Sequence, residues 1–416
     1  MNRVVRPWTK LALLNFLIAS LFGVLLRLDA VKEIPGFNYI HIETAHWHLA
    51  LLGWVYLALF SFMLGAFLPD PVLESGKYRT LIRVTQFLLL ANVLANIWFG
   101  YTLITIGLDV VLLLFMGYSI VAFLTDLRKV PCTFPVRLVR IALFFLVFSF
   151  LGILAKLPLD MLFPTKRSIL YYLSTQFFLH FNYNGWFTFG IFALLFRLAE
   201  QEGIVLEIYR LQWFIRIMAA MALVTFCLSI HWGYPGHPVF LFIAAGAAFV
   251  QLAMVFYIRK DLMNLFSALR PRFKPLTLYL LEIALVAYII KLTLQAVVVI
   301  PFVATLALTI RNYMIAYLHL MFLGVTTLFL LAYGIQQDCI RVKGPWGKAG
   351  VVAFGAGFVA MEVVLVVQGT LLWMGQGFMP FYYELIFAVS LFLPVGLTIM
   401  LWQTFVSRNQ DRTVIS

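Results

Sequence analysis

His46-Trp47-His48-Leu49-Ala50-Leu51-Leu52-Gly53-Trp54 opens a run that stays apolar as far as Leu68. About 20 apolar residues are needed to cross the hydrocarbon core of a bilayer as a helix. The stretch 45–68 is therefore a membrane span with two histidines at one end. The rest of the chain repeats its composition. Of 416 residues, 63% are hydrophobic and 11% are charged, with a mean hydropathy of +0.99. A water-soluble chain is about 45–50% apolar and about 25% charged. Ordinary cytosolic enzymes, nucleic-acid binders and secreted disulfide scaffolds are thereby excluded. Long apolar runs, rather than short alternating ones, predict an all-α polytopic membrane protein and not a β-barrel.

Working outward from 45–68, comparable runs lie at 10–29, 80–98, 102–125, 138–158, 171–198, 211–230, 238–258, 276–300, 311–335, 349–374 and 380–406. Together they predict about twelve transmembrane helices in a single domain, 1–416. The first run follows Arg3, Arg6 and Lys10 and has no clear small-residue cleavage site, so it reads as a helix and not a signal peptide. No internal repeat stands out. Cys132, Cys227 and Cys339 are too few and too scattered for a disulfide framework or a zinc site.

The net charge of +13 would suggest nucleic acid in a soluble protein, but here it marks orientation. With the N-terminus inside, about 23 Lys and Arg fall on the cytoplasmic side and about 6 on the other. Arg27, Lys32, Lys156, Lys166, Arg167 and Arg311 are the outer ones. Both termini are expected in the cytoplasm, with a bacterial inner membrane as the setting and no nucleic acid as partner.

On this topology all seven histidines, His41, His46, His48, His180, His231, His237 and His319, fall in the outer leaflet or at its surface. Ionisable side chains inside a membrane face the bundle interior and mark function, and imidazole binds metals and haem iron. His41 and His237 read as loop residues. A lone intramembrane histidine also serves plain hydrogen bonding between helices, so the case for a centre rests on the set. His46 and His48 lie about 200° apart on a helix, and only one can face a given ligand. Tyr317-Leu318-His319-Leu320-Met321-Phe322-Leu323-Gly324 repeats the pattern of a histidine followed by glycine. Histidines from two helices at matched depth can clamp a haem iron from both faces, with Gly53 and Gly324 letting a flat macrocycle approach. His180 with Tyr183, three residues on, and His231 are candidates for a second metal. Hydrogen bonding between helices is the plainer role for Tyr183, Asn182 and Asn184.

Histidines on spans 2, 6, 7 and 10 of twelve resemble subunit I of the haem-copper oxidases, including the nitric oxide reductase branch, over nearly the whole chain. The resemblance implies a low-spin haem held by His319 and by His48 or His46. It implies a non-haem metal, copper or iron, at His180 and His231. The chain departs from the pattern at four places. The span carrying His180 lacks the usual proline or acidic residue after its histidine. Tyr317 stands where the high-spin haem ligand is expected, and remains a cofactor candidate because tyrosinate ligates haem in catalases. Trp232 interrupts the adjacent histidine pair. The connection Gly375–Pro380 lacks the arginines that hold haem propionates.

The expectation is a divergent member with an incomplete binuclear centre. One low-spin b-type haem would serve electron transfer, redox or gas sensing, or support of a respiratory complex. The lipid bilayer, haem, an electron donor and other respiratory subunits are the implied partners. An active divergent oxidase or nitric oxide reductase, and a metal or proton transporter, are the alternatives. Asp109, Glu282, Lys291, Glu362 and Glu384 lie within or beside spans as groups for proton transfer or structural pairing.

Overall fold

A computed structural model describes residues 4–162, 169–233 and 237–413. Arg3, Lys166, Arg167 and residues 234–236 lie outside the described residues. Among the described residues every regular element is helical. We number the long helices α1 (Val5–Val31), α2 (Tyr39–Phe67), α3 (Lys77–Phe99), α4 (Leu103–Leu127), α5 (Phe134–Leu162) and α6 (169–201). They continue with α7 (Ile208–Gly233), α8 (Pro238–Tyr257), α9 (Pro275–Val297), α10 (Arg311–Gln336), α11 (Gly344–Trp373) and α12 (Tyr382–Val406).

Eleven of these are long and apolar enough to cross a membrane. The exception is α6. It runs without a break through the expected span 171–198, but His180, Asn182, Tyr183 and Asn184 make its centre polar. That polarity has a cause visible in the side-chain contacts described below. A short helix, Arg259–Leu269, follows α8. It buries Leu262, Leu265 and Leu269 on one face and exposes Met263 on the other, the habit of an interfacial helix.

The chain forms two compact units. The first comprises Met1–Ser119 with Leu308–Ser416, and the second Ile120–Ala307. In the first, α11 and α12 pack through small residues. A Cβ placed on Gly396 would lie 2.5 Å from the Gly350 carbonyl oxygen. Backbones approach this closely in membranes because association there depends on van der Waals contact and not on the hydrophobic effect. In the second, a Cβ on Gly152 of α5 would lie 2.5 Å from the Ser174 carbonyl of α6, and one on Gly185 of α6 would lie 2.4 Å from Phe145 of α5.

Among the described residues none of the three cysteines forms a disulfide. Cys339, in the loop after α10, is buried, and burial pushes its thiol up to about 11. It therefore stays protonated and unreactive at neutral pH. Gly185→Leu is expected to lower stability by about 1–3 kcal/mol through overpacking, measured by thermal unfolding in detergent. Parent-like unfolding would show that Phe145 can move aside freely.

Candidate functional site

Three of the long helices share an irregularity. α2 is π-helical over Leu49–Tyr56, α6 over Asn182–Phe187 and α10 over Leu320–Thr327. In α2 and α10 the wide turn starts directly after His48 and His319, and in α6 two residues after His180. Each histidine is followed five residues later by glycine: Gly53, Gly185 and Gly324. The intervals between the histidines are 180 − 48 = 132 and 319 − 180 = 139 residues. The three helices thus share a His-x4-Gly frame at a π segment. π turns are rare and concentrate at functional sites. They free carbonyl groups, and the hydroxyls of Thr188 and Thr326 donate to the carbonyls of Tyr183 and Met321, five residues back, at 2.8 and 3.0 Å. Beyond each histidine the helix is buried on nearly every face.

In the first unit His46 of α2 and His319 of α10 lie within electrostatic reach of one another. His46 lies seven residues into α2 (46 − 39) and His319 eight into α10 (319 − 311). At 1.5 Å per residue, both are about 10–12 Å from the helix start. The His46 Nδ1 donates to the Ala19 carbonyl of α1 at 2.7 Å. That bond fixes the tautomer and leaves Nε2 with its lone pair. Gly23 of α1 lies against the ring, where an added Cβ would sit 3.2 Å from Cε1. The His319 Nδ1 is buried without a hydrogen-bond partner, and its closest acidic group is the Glu362 carboxylate at 3.9 Å. Arg27 lies within electrostatic reach of His46, His319 and Glu362, and His46 lies within reach of His319. The hydrogen bond of the Arg27 guanidinium is to the Met361 sulfur, at 2.9 Å. A thioether is a weak acceptor for a group with five donors.

His48 is differently placed. Its Nδ1 faces the Thr44 carbonyl at 2.8 Å and its Nε2 faces the Asp109 carboxylate at 2.9 Å. Asn92 donates to the same carboxylate oxygen at 3.0 Å. Both ring nitrogens thus meet acceptors, and His48 with Asp109 forms a closed pair between α2 and α4. Tyr317, two residues before His319 on the α-helical part of α10, projects about 200° away from it. Gly53 packs on α1, where an added Cβ would lie 2.9 Å from Asn15. Gly324 lies inside the α10 π segment.

In the second unit His180, Asn182 and Asn184 of α6 are hydrogen-bonded. The His180 Nε2 donates to the Ala222 carbonyl of α7 at 2.8 Å, and its Nδ1 lies 3.3 Å from the Asn184 side-chain nitrogen. Asn184, four residues on, is the side chain that meets His180. Asn182 donates to Ser149 of α5 at 3.0 Å. Lys291 of α9 is 1% exposed. It donates to the Asn184 side-chain oxygen and, at 2.7 Å, to Gln295, which donates to Gln251 of α8 at 2.7 Å. His231 lies at the end of α7 with its Nδ1 buried and without a hydrogen-bond partner. Among the described residues no three His, Cys, Asp or Glu side chains gather as a metal cluster. Glu282 pairs with Arg270 at 3.1 Å, not with Lys291.

His41, expected in a loop, instead lies in the first turn of α2 and holds the Ile97 carbonyl at 3.0 Å, and His237 directly precedes α8. Arg27 is the residue that sequence reading missed. It was counted as an outer loop charge, although it falls within the last turns of α1. Its one sequence signal was position, directly after an apolar run. No family model matches the chain, and no curated protein does so significantly.

His48→Ala is expected to cost about 1–3 kcal/mol by leaving Asp109 without its partner, as measured by thermal unfolding. Asp109→Asn, which can still hydrogen-bond, should cost less. Equal losses for the two would argue against an ion pair.

Proposed function

We propose that the chain is a haem-binding integral membrane protein, with a helical bundle like that of haem-copper oxidase subunit I. It would hold one low-spin b-type haem between His46 and His319. The observation that carries this reading is the fixed His46 ring: its Nδ1 is committed to Ala19, so Nε2 is left as a ligand atom. The other residues fit such a group. His319 can present Nε2 while its Nδ1 proton points to Glu362, the orientation that a carboxylate gives to ligating histidines. Gly23 leaves room beside the His46 ring. Arg27, whose hydrogen bond among the described residues is to a sulfur, offers a guanidinium to an acidic haem substituent and takes the place of the arginines missing between α11 and α12.

His48 is set apart from the haem by its pairing with Asp109. When bound, a haem with two histidine ligands supplies one-electron chemistry and leaves no open site for a substrate. The activity that follows is electron transfer or redox sensing, within the bilayer or in company with respiratory subunits. On the same reading the seven histidines face the outer side of a bacterial inner membrane and both termini face the cytoplasm.

The purified protein is expected to show a six-coordinate low-spin haem spectrum on reduction with dithionite. His46→Ala and His319→Ala should each abolish it, whereas His48→Ala should keep it. A colourless, folded preparation would sink the proposal and leave a transporter as the better reading. The reduced protein should not bind carbon monoxide.

Arg27→Gln should lower the midpoint potential in a spectroelectrochemical titration. Removing a positive charge beside the iron disfavours the state that carries the extra electron. An unchanged or raised potential would place Arg27 away from the haem.

A further inference from the structure

The resemblance to oxidases implies a non-haem metal at His180 and His231. The second unit does not fit one. A metal ligand needs a ring nitrogen with a free lone pair, and both His180 nitrogens are occupied, one by the Ala222 carbonyl and the other by Asn184. The oxygen of that same Asn184 holds the Lys291 side chain. A dication at His180 would therefore meet an ammonium only one side chain away. The described surroundings offer amide oxygens to both hydrogen-bonded faces of Lys291, and no carboxylate joins them.

We propose that this centre is metal-free, and that the Lys291 ammonium supplies, as a tethered cation, the positive charge that a metal would bring. The connections are continuous. The Ala222 carbonyl of α7 is bonded to His180 of α6, and Asn184 one turn along α6 is bonded to Lys291 of α9. From there Gln295 of α9 leads to Gln251 of α8. One charge thus ties four helices together through neutral acceptors. That also explains why α6 alone among the long helices is too polar to score as a span. Its polar residues build this hub.

The test uses the full chain in detergent, incubated separately with cuprous, zinc and ferrous salts, desalted, and assayed for metal. Wild type and His180→Ala are expected to retain the same amounts. A stoichiometric metal present in wild type and lost in His180→Ala would overturn the proposal. Its positive half is read by a double-mutant cycle on thermal unfolding. Lys291→Met and Asn184→Leu should each lower the unfolding temperature, and the double variant should lose markedly less than the two losses added, because they share one interaction. Strict additivity would overturn the hub. If a single variant fails to fold, the metal assay on wild type against His180→Ala still decides the metal-free claim. The dithionite spectrum reads the first unit separately, so failure of the haem reading and failure of this one are distinguishable.

Discussion

An ionisable side chain inside an apolar bundle has to find a partner for every polar atom, because no water is at hand to supply one. The three histidines that precede π segments meet this demand in three ways. His48 is saturated by a carbonyl and a carboxylate. His180 is saturated by a carbonyl and an amide. His319 keeps a buried nitrogen whose nearest acidic neighbour is 3.9 Å away. Of these three, the last leaves a ring nitrogen without a hydrogen bond among the described residues, and it lies within electrostatic reach of His46, whose Nδ1 is held by Ala19.

The π segments explain how these histidines are held. A wide turn directly after the residue breaks the α-helical phase, so the side chains before and after it are positioned independently. His319 can then face the interior of its unit while the helix beyond it packs on every side. In α10 the turn is braced by the Thr326 hydroxyl, and the neighbouring Thr327 accepts a hydrogen bond at 2.9 Å from Trp54 of the α2 π segment. The two histidine-bearing helices are thus joined one to two turns below the site. A site held within a fraction of an ångström needs support of this kind from outside its immediate contacts.

The membrane character and the approximate bounds of the spans were legible because they depend on summed hydropathy and on length, which any window reports. The choice between His46 and His48 was not. Periodicity says that two residues two apart diverge, but not which neighbour each meets. That depends on Ala19 of α1 and Asp109 of α4, residues remote in sequence. Periodicity places both Tyr183 and Asn184 on the face of His180, and does not say which of them meets its ring; that is Asn184. Arg27 was missed because charge counting assigns residues to sides and overlooks that the last turns of a helix can still be inside. Glu282 and Lys291 share α9, yet each found its partner on a different element, which spacing along one helix cannot show.

Charge accounting bears on what such a chain can do. Reduction of dioxygen or nitric oxide at one place needs a second electron-accepting centre beside the haem, so that more than one electron can be delivered before an intermediate escapes. In the second unit the group bonded to Asn184 is an amine on a four-carbon stem. It can hydrogen-bond two amide oxygens, but it has no second oxidation state. On the proposed haem reading, the two histidines of the first unit would saturate an iron rather than leave it open, and electrons would be passed or sensed one at a time.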